Sequence, residues 1–507
     1  MSTKRLAIRG VGFNWLGQAC TFAITFVVTP ILIHGLGNEA YGLWSLLMAQ
    51  ATYYGLVDLG LRPAVTKYVA EYLALDDWVA INRVVVTGLV VLVVLALVLL
   101  SVAGVLAVVF PFIFPVGQFD SSILRWIVFL VGLSVAVTLV ENVFDGLLAA
   151  AKRFDLLNII VTGTHIVRSI FTVVVVCMGG GLLAMSVVLL AFSLIQLAFS
   201  FLLARRTFDY LSTSISCLDR ATARRLLRFG ILNMAYGVTL KITKSAGAII
   251  TGMVLGLAMV TFFSIADTLT KKTLELGKGL NQVVMPVASH LNAQDRKEDL
   301  IRLLTLSVRV AVAMSLALTG VFIALGHPLI RLWIGEEYAR NSYPVLCVLA
   351  GAMVFTPMAN MSRNILKGMN QLGIVVKVGI LDVVLTLGLG WLGAQSFGLI
   401  GMAWAVFLSQ AITSGFLMPV VACRRIQLSL GQYVLQAVLP GVAAAIPAIG
   451  MATTLGLLLP PSNLVQVITY GLIIGAVSGL SIFLVCFEKE LKKDVIRSVV
   501  PFLKTTP

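Results

Sequence analysis

Val84 to Phe110 reads VVVTGLVVLVVLALVLLSVAGVLAVVF, a run without one charged side chain. As a helix it rises about 1.5 Å per residue, so it exceeds the ~30 Å hydrocarbon core of a bilayer. The rest of the chain agrees with a helical membrane protein. It has 507 residues, of which 59% are hydrophobic and 12% charged, and its mean hydropathy is +1.01. No soluble globular chain of this length has such a composition.

Apolar runs near 20 residues predict fourteen spans. They cover 11–34, 42–63, 84–110, 123–148, 156–178, 182–204, 229–255, 258–280, 303–325, 344–366, 374–395, 398–421, 433–457 and 464–487. With the N-terminus inside, the inside segments carry 24 basic residues and the outside ones three, Arg125, Arg331 and Arg340. This positive-inside bias predicts an even number of spans and two cytoplasmic termini. The net charge of +15 therefore follows from topology, and no nucleic-acid partner is expected. The N-terminal run from Val11 to Ile33 is too long for a signal peptide and is read as the first span.

The sequence repeats. At an offset of 219, Arg9 falls on Arg228, Asn14 on Asn233, Leu36-Gly37 on Leu255-Gly256, Ser45 on Ser264 and Gly60-Leu61 on Gly279-Leu280. Asn142 meets Asn360 at 218, and GGLLAM meets FGLIGM at 217. Arg205-Arg206 meets Arg424-Arg425 at 219. Spans 1–6 and 7–12 are read as copies, with two spans appended. Six spans return the chain to its starting side, so the axis relating the copies runs along the membrane normal and a cleft opens at the midplane. The expected layout is residues 1–204, a cytoplasmic linker 205–228, residues 229–423, and two helices with a cytoplasmic tail over 424–507.

Ten basic residues fall within or at the edges of spans. Arg62, Lys278, Arg309, Arg363 and Lys377 lie near inside ends and can snorkel. Arg168, Lys241, Lys244, Lys271 and Lys272 lie deeper, where one lysine costs about 2.5–3.5 kcal/mol on insertion scales. Asp267–Lys271 and Lys271–Glu275 are spaced for i,i+4 pairs. Asp58 and Asp145 lie toward inside ends, where solvation accounts for them; Asp267, Glu141 and Asp382 are deeper. Pro30 and Pro357 are read as interrupting spans 1 and 10, and Pro286 as following span 8.

The stretch GLGNEAYGLWSLLMAQATYYGLVDLGLRPAVTKYVAEYLALDD (35–77) resembles the second-helix region of Wzx-type polysaccharide flippases, within the multidrug/oligosaccharidyl-lipid/polysaccharide exporter superfamily. Leu36, Gly37, Tyr41, Gly42 and Trp44 carry the likeness, with Asp58 to Leu61 and Lys67 to Tyr72. The resemblance implies an all-α integral membrane protein of about 14 helices. Two pseudo-symmetric six-helix lobes form a V, with two extra helices. It also implies a lipid-linked oligosaccharide substrate, undecaprenyl-pyrophosphate oligosaccharide, moved across the bacterial inner membrane with H+ or Na+, beside membrane lipids and a polysaccharide polymerase. The anionic neck of that substrate needs cations. Lys241, Lys244, Arg168, Lys271, Lys272 and Arg62 are the candidates to bind it, and Asp267, Glu141 and Asp382 the candidates for ion coupling.

A drug or cation antiporter of the same superfamily is the nearest rival; deep cations and two extra spans argue against it. A membrane enzyme of polysaccharide assembly would need acids or histidines at the surface and a sizeable outer segment. The largest outer gap here, 326–343 with His327, Glu336 and Glu337, reads as a solvated loop. The six cysteines are scattered and the four histidines have no ligand spacing, so neither metal nor cofactor is expected and the chain is not read as an enzyme.

Overall fold

The computed structural model describes the backbone of residues 3–55, 60–116, 119–208, 211, 217–276 and 278–487; the side chains of 3–19, 229–236, 276 and 278–283 are not described. Asp58 and the lysines of the C-terminal tail therefore lie outside the described residues, and the Lys278 side chain is not described. Helices α1 (Thr3–Leu36), α2 (Asn38–Tyr54), α3 (Leu61–Leu73), α4 (Trp78–Ile113), α5 (Ser121–Ala150), α6 (Phe154–Cys177), α7 (Leu182–Thr207) and α8 (Arg220–Val254) come first. Then follow α9 (Leu257–Leu276), α10 (Lys278–Ala293), α11 (Lys297–Trp333), α12 (Glu336–Ala352), α13 (Phe355–Gly368) and α14 (Leu372–Gln410). A π-helical segment, Ala411–Leu417, leads into α15 (Met418–Ile426). Helix α16 (Leu430–Tyr433) passes through a second π segment, Val434–Val438, into α17 (Leu439–Leu458), and α18 (Leu464–Cys486) ends the described chain. No strand occurs among the described residues. The chain forms two compact units, Met1–Ser264 and Ile265–Pro507.

Among the described residues, nine helical stretches are long and apolar enough to cross a membrane. They contain ten of the fourteen expected spans, because Leu372–Ile426 holds two, folded about Gly398 at φ +61. The other four expected spans are 1, 2, 7 and 8, the first two of each copy. Of these, α2–α3 and α9–α10 are separate helices, and the described part of α1 that is apolar is Cys20–Leu36.

Three local expectations are corrected. The outer gap 326–343 is helical apart from Ile334 and Gly335, since α11 runs to Trp333 and α12 starts at Glu336. Pro30 lies inside a continuous α1. Span 10 breaks at Met353–Val354, and Pro357 sits in the first turn of α13, where its missing N–H costs little.

The repeat recurs in the backbone. Asp76 and Asp295, 219 apart, both adopt left-handed φ, at 54° and 53°. Lys152 and Asn370, 218 apart, do the same at 57° and 59°. Each closes its helix identically: Asp77 N–H bonds the Tyr72 carbonyl and Arg296 N–H that of Leu291, while Arg153 bonds Leu148 and Gln371 bonds Leu366. This is the Schellman closure, usually built on glycine. Four non-glycine residues in strained backbone at matched positions are poorly explained by chance. Between Met402 and Arg424 the offset rises from 217 to 219, and the π segment Ala411–Leu417 lies there. A π turn takes up an extra residue, which accounts for part of the drift.

In the first unit, Leu61, Ala64, Val65 and Val69 form the apolar stripe of α3. The stripe packs with Val84 and Leu92 of α4, Phe144 and Leu147 of α5, and Leu226 of α8. Gly42 lets α2 meet the start of α9: a Cβ there would lie 1.9 Å from the Leu257 carbonyl oxygen. In the second unit, Arg309 is held by backbone carbonyls. Its Nε and Nη2 donate to the Gln436 carbonyl at 3.0 and 2.6 Å, and its Nη1 to that of Cys486 at 3.0 Å. One guanidinium thus brackets both appended spans to α11.

Candidate functional site

Span 2 is not one helix. Helix α2 stops at Tyr54, and α3 begins after Gly60, which has a left-handed φ of 66°. A break at membrane depth leaves helix-end carbonyls and N–H groups to be met by other parts of the protein. Helix α8 meets one side. Lys241 Nζ donates to the Gly55 carbonyl, and the Tyr53 hydroxyl donates to the Ile242 carbonyl at 3.2 Å. A Cβ on residue 55 would lie 3.1 Å from that ammonium nitrogen, so glycine suits the approach. The cation faces the negative end of the α2 dipole.

The other side of the break opens α3, with Arg62 in its first turn. Arg62 Nη1 lies 3.4 Å from Asp145 Oδ2; the Arg62 side chain is 41% exposed and that of Asp145 5%. Asp145 is therefore not a solvated acid, as its place in the sequence suggested, but a buried partner of a half-exposed cation. Ser200 of α7 stands 3.2 Å from Asp145 Oδ1 and 3.2 Å from Glu141 Oε1, and Gln196 Nε2 donates to Glu141 at 2.7 Å. Lys241 and Arg62 thus flank one interruption, with two carboxylates behind the arginine.

The remaining candidates are placed separately. Lys244 is exposed on α8 and Arg168 half-buried on α6. In the second unit Lys271 pairs with Asp267, as the spacing indicated, and Lys272 pairs with Glu275 at 3.5 Å. Asp382 is buried and accepts from Ser409 and Thr413, each at 2.8 Å; Thr386 shares a 2.8 Å bond with Ser409. No group of three His, Cys, Asp or Glu fit for a metal occurs among the described residues.

Two features escaped the sequence reading. Arg363, expected to snorkel, is 7% exposed and bonds Asn360 Oδ1 at 3.1 Å and Ser414 Oγ at 3.0 Å. At the repeat offset of 218 it is the counterpart of Asp145, a charge reversal visible in the alignment. Gln196 and Ser200 are an i,i+4 polar pair in an otherwise apolar span, a signal that marks one face of α7. The second unit also holds a half-open cavity of about 500 Å³. Leu274, Val310, Met314, Ile474, Ile482 and Phe487 are among its lining residues. The lining is almost wholly apolar, and cavities of this size hold small ligands or part of a larger one.

Residues 7–292 match the family described as Polysaccharide biosynthesis protein. The putative O-antigen transporter of Shigella flexneri is 20% identical over 413 residues, 79% of this chain and 94% of that protein. The probable low-salt glycan biosynthesis flippase Agl15 of Haloferax volcanii is 22% identical over 204 residues, 40% of this chain and 43% of that protein. Among solved structures, the lipid II flippase MurJ in an inward closed conformation superposes with a TM-score of 0.73. It is 12% identical, and the match covers 96% of this chain and 100% of that one. An inward-facing multidrug transporter of the MATE family superposes at 0.65, with 15% identity over 80% of this chain and 94% of that one.

Proposed function

Because the chain belongs to the polysaccharide biosynthesis protein family, we propose that it is a flippase for a lipid-linked oligosaccharide. The substrate is undecaprenyl-pyrophosphate oligosaccharide, carried from the cytoplasmic to the periplasmic leaflet of the inner membrane by alternating access. Both termini face the cytoplasm, and the exported units pass to a polysaccharide polymerase. Transport is its activity, and no covalent step is assigned to it.

The observation that carries this reading is the broken span 2 with a cation at each side. Discontinuous helices are where transporters place charged substrates. Lys241 is held by a neutral carbonyl and Arg62 by one carboxylate, with much of its side chain open. A phosphate oxygen is a stronger acceptor than a carbonyl, and an arginine fork binds it through two N–H groups. The pyrophosphate neck exchanges with these partners; Lys244 and Arg168 stand as further contacts, and Lys271 and Lys272 first have to leave their acids. The apolar cavity beside α18 suits a length of isoprenoid tail. The twelve-span repeat alone would not build that wall.

Ion coupling fits the acids behind Arg62. A serine hydroxyl carries one hydrogen, yet Ser200 stands at bonding distance from two carboxyl groups. It donates to one, and the second contact is complete only when that carboxyl carries a proton. Arg62 lies on Asp145, so a substrate phosphate that draws Arg62 away breaks that ion pair and alters the acid pair that Ser200 joins. Asp382 and Asp267 are the second-unit candidates. The test is reconstitution in vesicles with the labelled lipid-linked oligosaccharide. Leaflet-to-leaflet transfer accelerated by an imposed proton or sodium gradient is expected; no transfer in either gradient refutes the reading.

A further inference from the structure

The cavity of the second unit is apolar but for a few residues, and two of those present groups that no described residue meets. Serine and threonine in a helix commonly return their proton to a carbonyl one turn back. Of the cavity-lining residues, Thr273 does so to Leu269 and Ser315 to Ala311. Ser478 of α18, which is 8% exposed, makes no such bond among the described residues. Asn360 of α13 is fixed by Arg363. A guanidinium can only donate, so Asn360 turns its oxygen to Arg363, at 3.1 Å, and both amide N–H groups are left over. Asn360 is half-buried and lines the same cavity as Ser478. Arg363 itself is 7% exposed and bonds only the neutral oxygens of Asn360 and Ser414. No carboxylate among the described residues forms an ion pair with it; Asp382 is taken up by Ser409 and Thr413. A buried charge without a counter-ion is costly, and inside a membrane segment such a charge marks function. Gly471, Gly475 and Gly479 of α18 also line the cavity, each one turn from the next, and a Cβ on any of them meets open space.

We propose that this cavity binds a long-chain monocarboxylate, a fatty acid, with its carboxylate on Asn360 and Ser478 and its chain along the glycine side of α18. The Asn360 amide and the Ser478 hydroxyl can both donate, and a carboxylate only accepts. Arg363 bonds the other end of the same amide, so its charge polarises that donor and balances the ligand. One cation matches one negative charge. The walls match the hydrocarbon chain, and the three glycines leave it room. An isoprenoid tail is hydrocarbon throughout; it fits the walls but leaves both polar groups unmet. A neutral amphiphile gains the walls but not the charge. The binding goes beyond the flippase reading and does not depend on it. If that reading holds, fatty acid and isoprenoid tail compete for one set of walls, and the fatty acid slows transport.

The experiment measures equilibrium binding of radiolabelled palmitate to the full chain in nanodiscs, with hexadecanol and undecaprenyl phosphate as further probes. Saturable palmitate binding is expected, with hexadecanol at least about tenfold weaker. Asn360→Asp keeps an oxygen for Arg363 and replaces the donor by a negative charge. It should weaken palmitate at least about 30-fold and hexadecanol less than about threefold, with the thermal midpoint unchanged or raised. Ser478→Ala should weaken palmitate about three- to tenfold. Gly475→Leu fills the open space and should remove saturable binding of both chains. Palmitate binding that does not saturate, or that survives both Asn360→Asp and Gly475→Leu, overturns the proposal. So does saturable binding of undecaprenyl phosphate with none of palmitate, which would give the cavity to the carrier tail alone. Failure of the protein to move a lipid-linked oligosaccharide would remove the flippase reading and leave the palmitate result standing.

Discussion

Replacing Lys241 by methionine separates a lysine that builds the fold from one that serves a substrate. Two effects oppose each other in the empty protein. The bond from the ammonium to the Gly55 carbonyl is lost, and a hydrogen bond to a charged group contributes about 1.5–3 kcal/mol. The ammonium also leaves the span interior, which regains about 2.5–3.5 kcal/mol on insertion scales. The sum is within roughly 1–2 kcal/mol of zero on those figures, so stability should change little. Substrate binding loses the phosphate contact but no longer has to break the Gly55 bond, so affinity should fall by about 1–2 kcal/mol, or roughly 5- to 30-fold. Thermal unfolding of the purified protein and equilibrium binding of the lipid-linked oligosaccharide read the two effects independently. A markedly lowered midpoint with wild-type affinity would refute the reasoning, since Lys241 would then only cap α2.

Four further outcomes are expected. Ser200→Ala removes the hydroxyl between Glu141 and Asp145; gradient-driven transport should fall while gradient-free exchange of labelled substrate persists, and equal loss of both would argue against a coupling role. Arg309→Ala should lower stability by about 2–4 kcal/mol through its lost carbonyl bonds, and Arg309→Lys should recover only part, because lysine lacks the fork. Gly42→Ala forces a Cβ toward the Leu257 carbonyl and should destabilise by at least about 1–3 kcal/mol, read as a lowered unfolding midpoint. Asp219 caps α8 through Thr222 and Ala221, and those bonds, led by the Thr222 side chain, hold its carboxyl below the ordinary aspartate range. A depressed folded value means the cap's stabilisation is present above the unfolded aspartate value and is lost as pH falls through the folded one. Amide protection factors, corrected for the intrinsic exchange rate at each pH, should fall in the first turn of α8 on acidification, and Asp219→Ala should abolish that dependence.

Much of the architecture is legible in order along the chain. Apolar runs mark spans because lipid forces every backbone group into a helix. The polar and glycine matches at offsets of 217–219 mark the repeat, and the paired closures at Asp76 and Asp295 carry it into the backbone. The depth of Lys241 was legible by counting, but its partner was not. Gly55 lies 186 residues away and offers only a carbonyl, which has no sequence signature. Asp145 and Arg363 were misplaced for a related reason. Position along a helix gives depth, whereas burial depends on which face a neighbour covers, as Arg62 and Ser414 show.

The amino-acid sequence by itself determined that this is a helical membrane protein, and it carried an internal repeat that the paired helix closures reproduce. Those properties are one-dimensional: hydrophobicity, period and charge are summed along the chain. Tertiary structure alone decided that span 2 breaks beside α8, that Arg62 faces a serine-bridged acid pair, and that Arg309 brackets the last two spans. Each depends on side chains from distant segments meeting within about 3 Å, and hydrogen-bond energy falls off too steeply with distance and angle for composition or spacing to encode it.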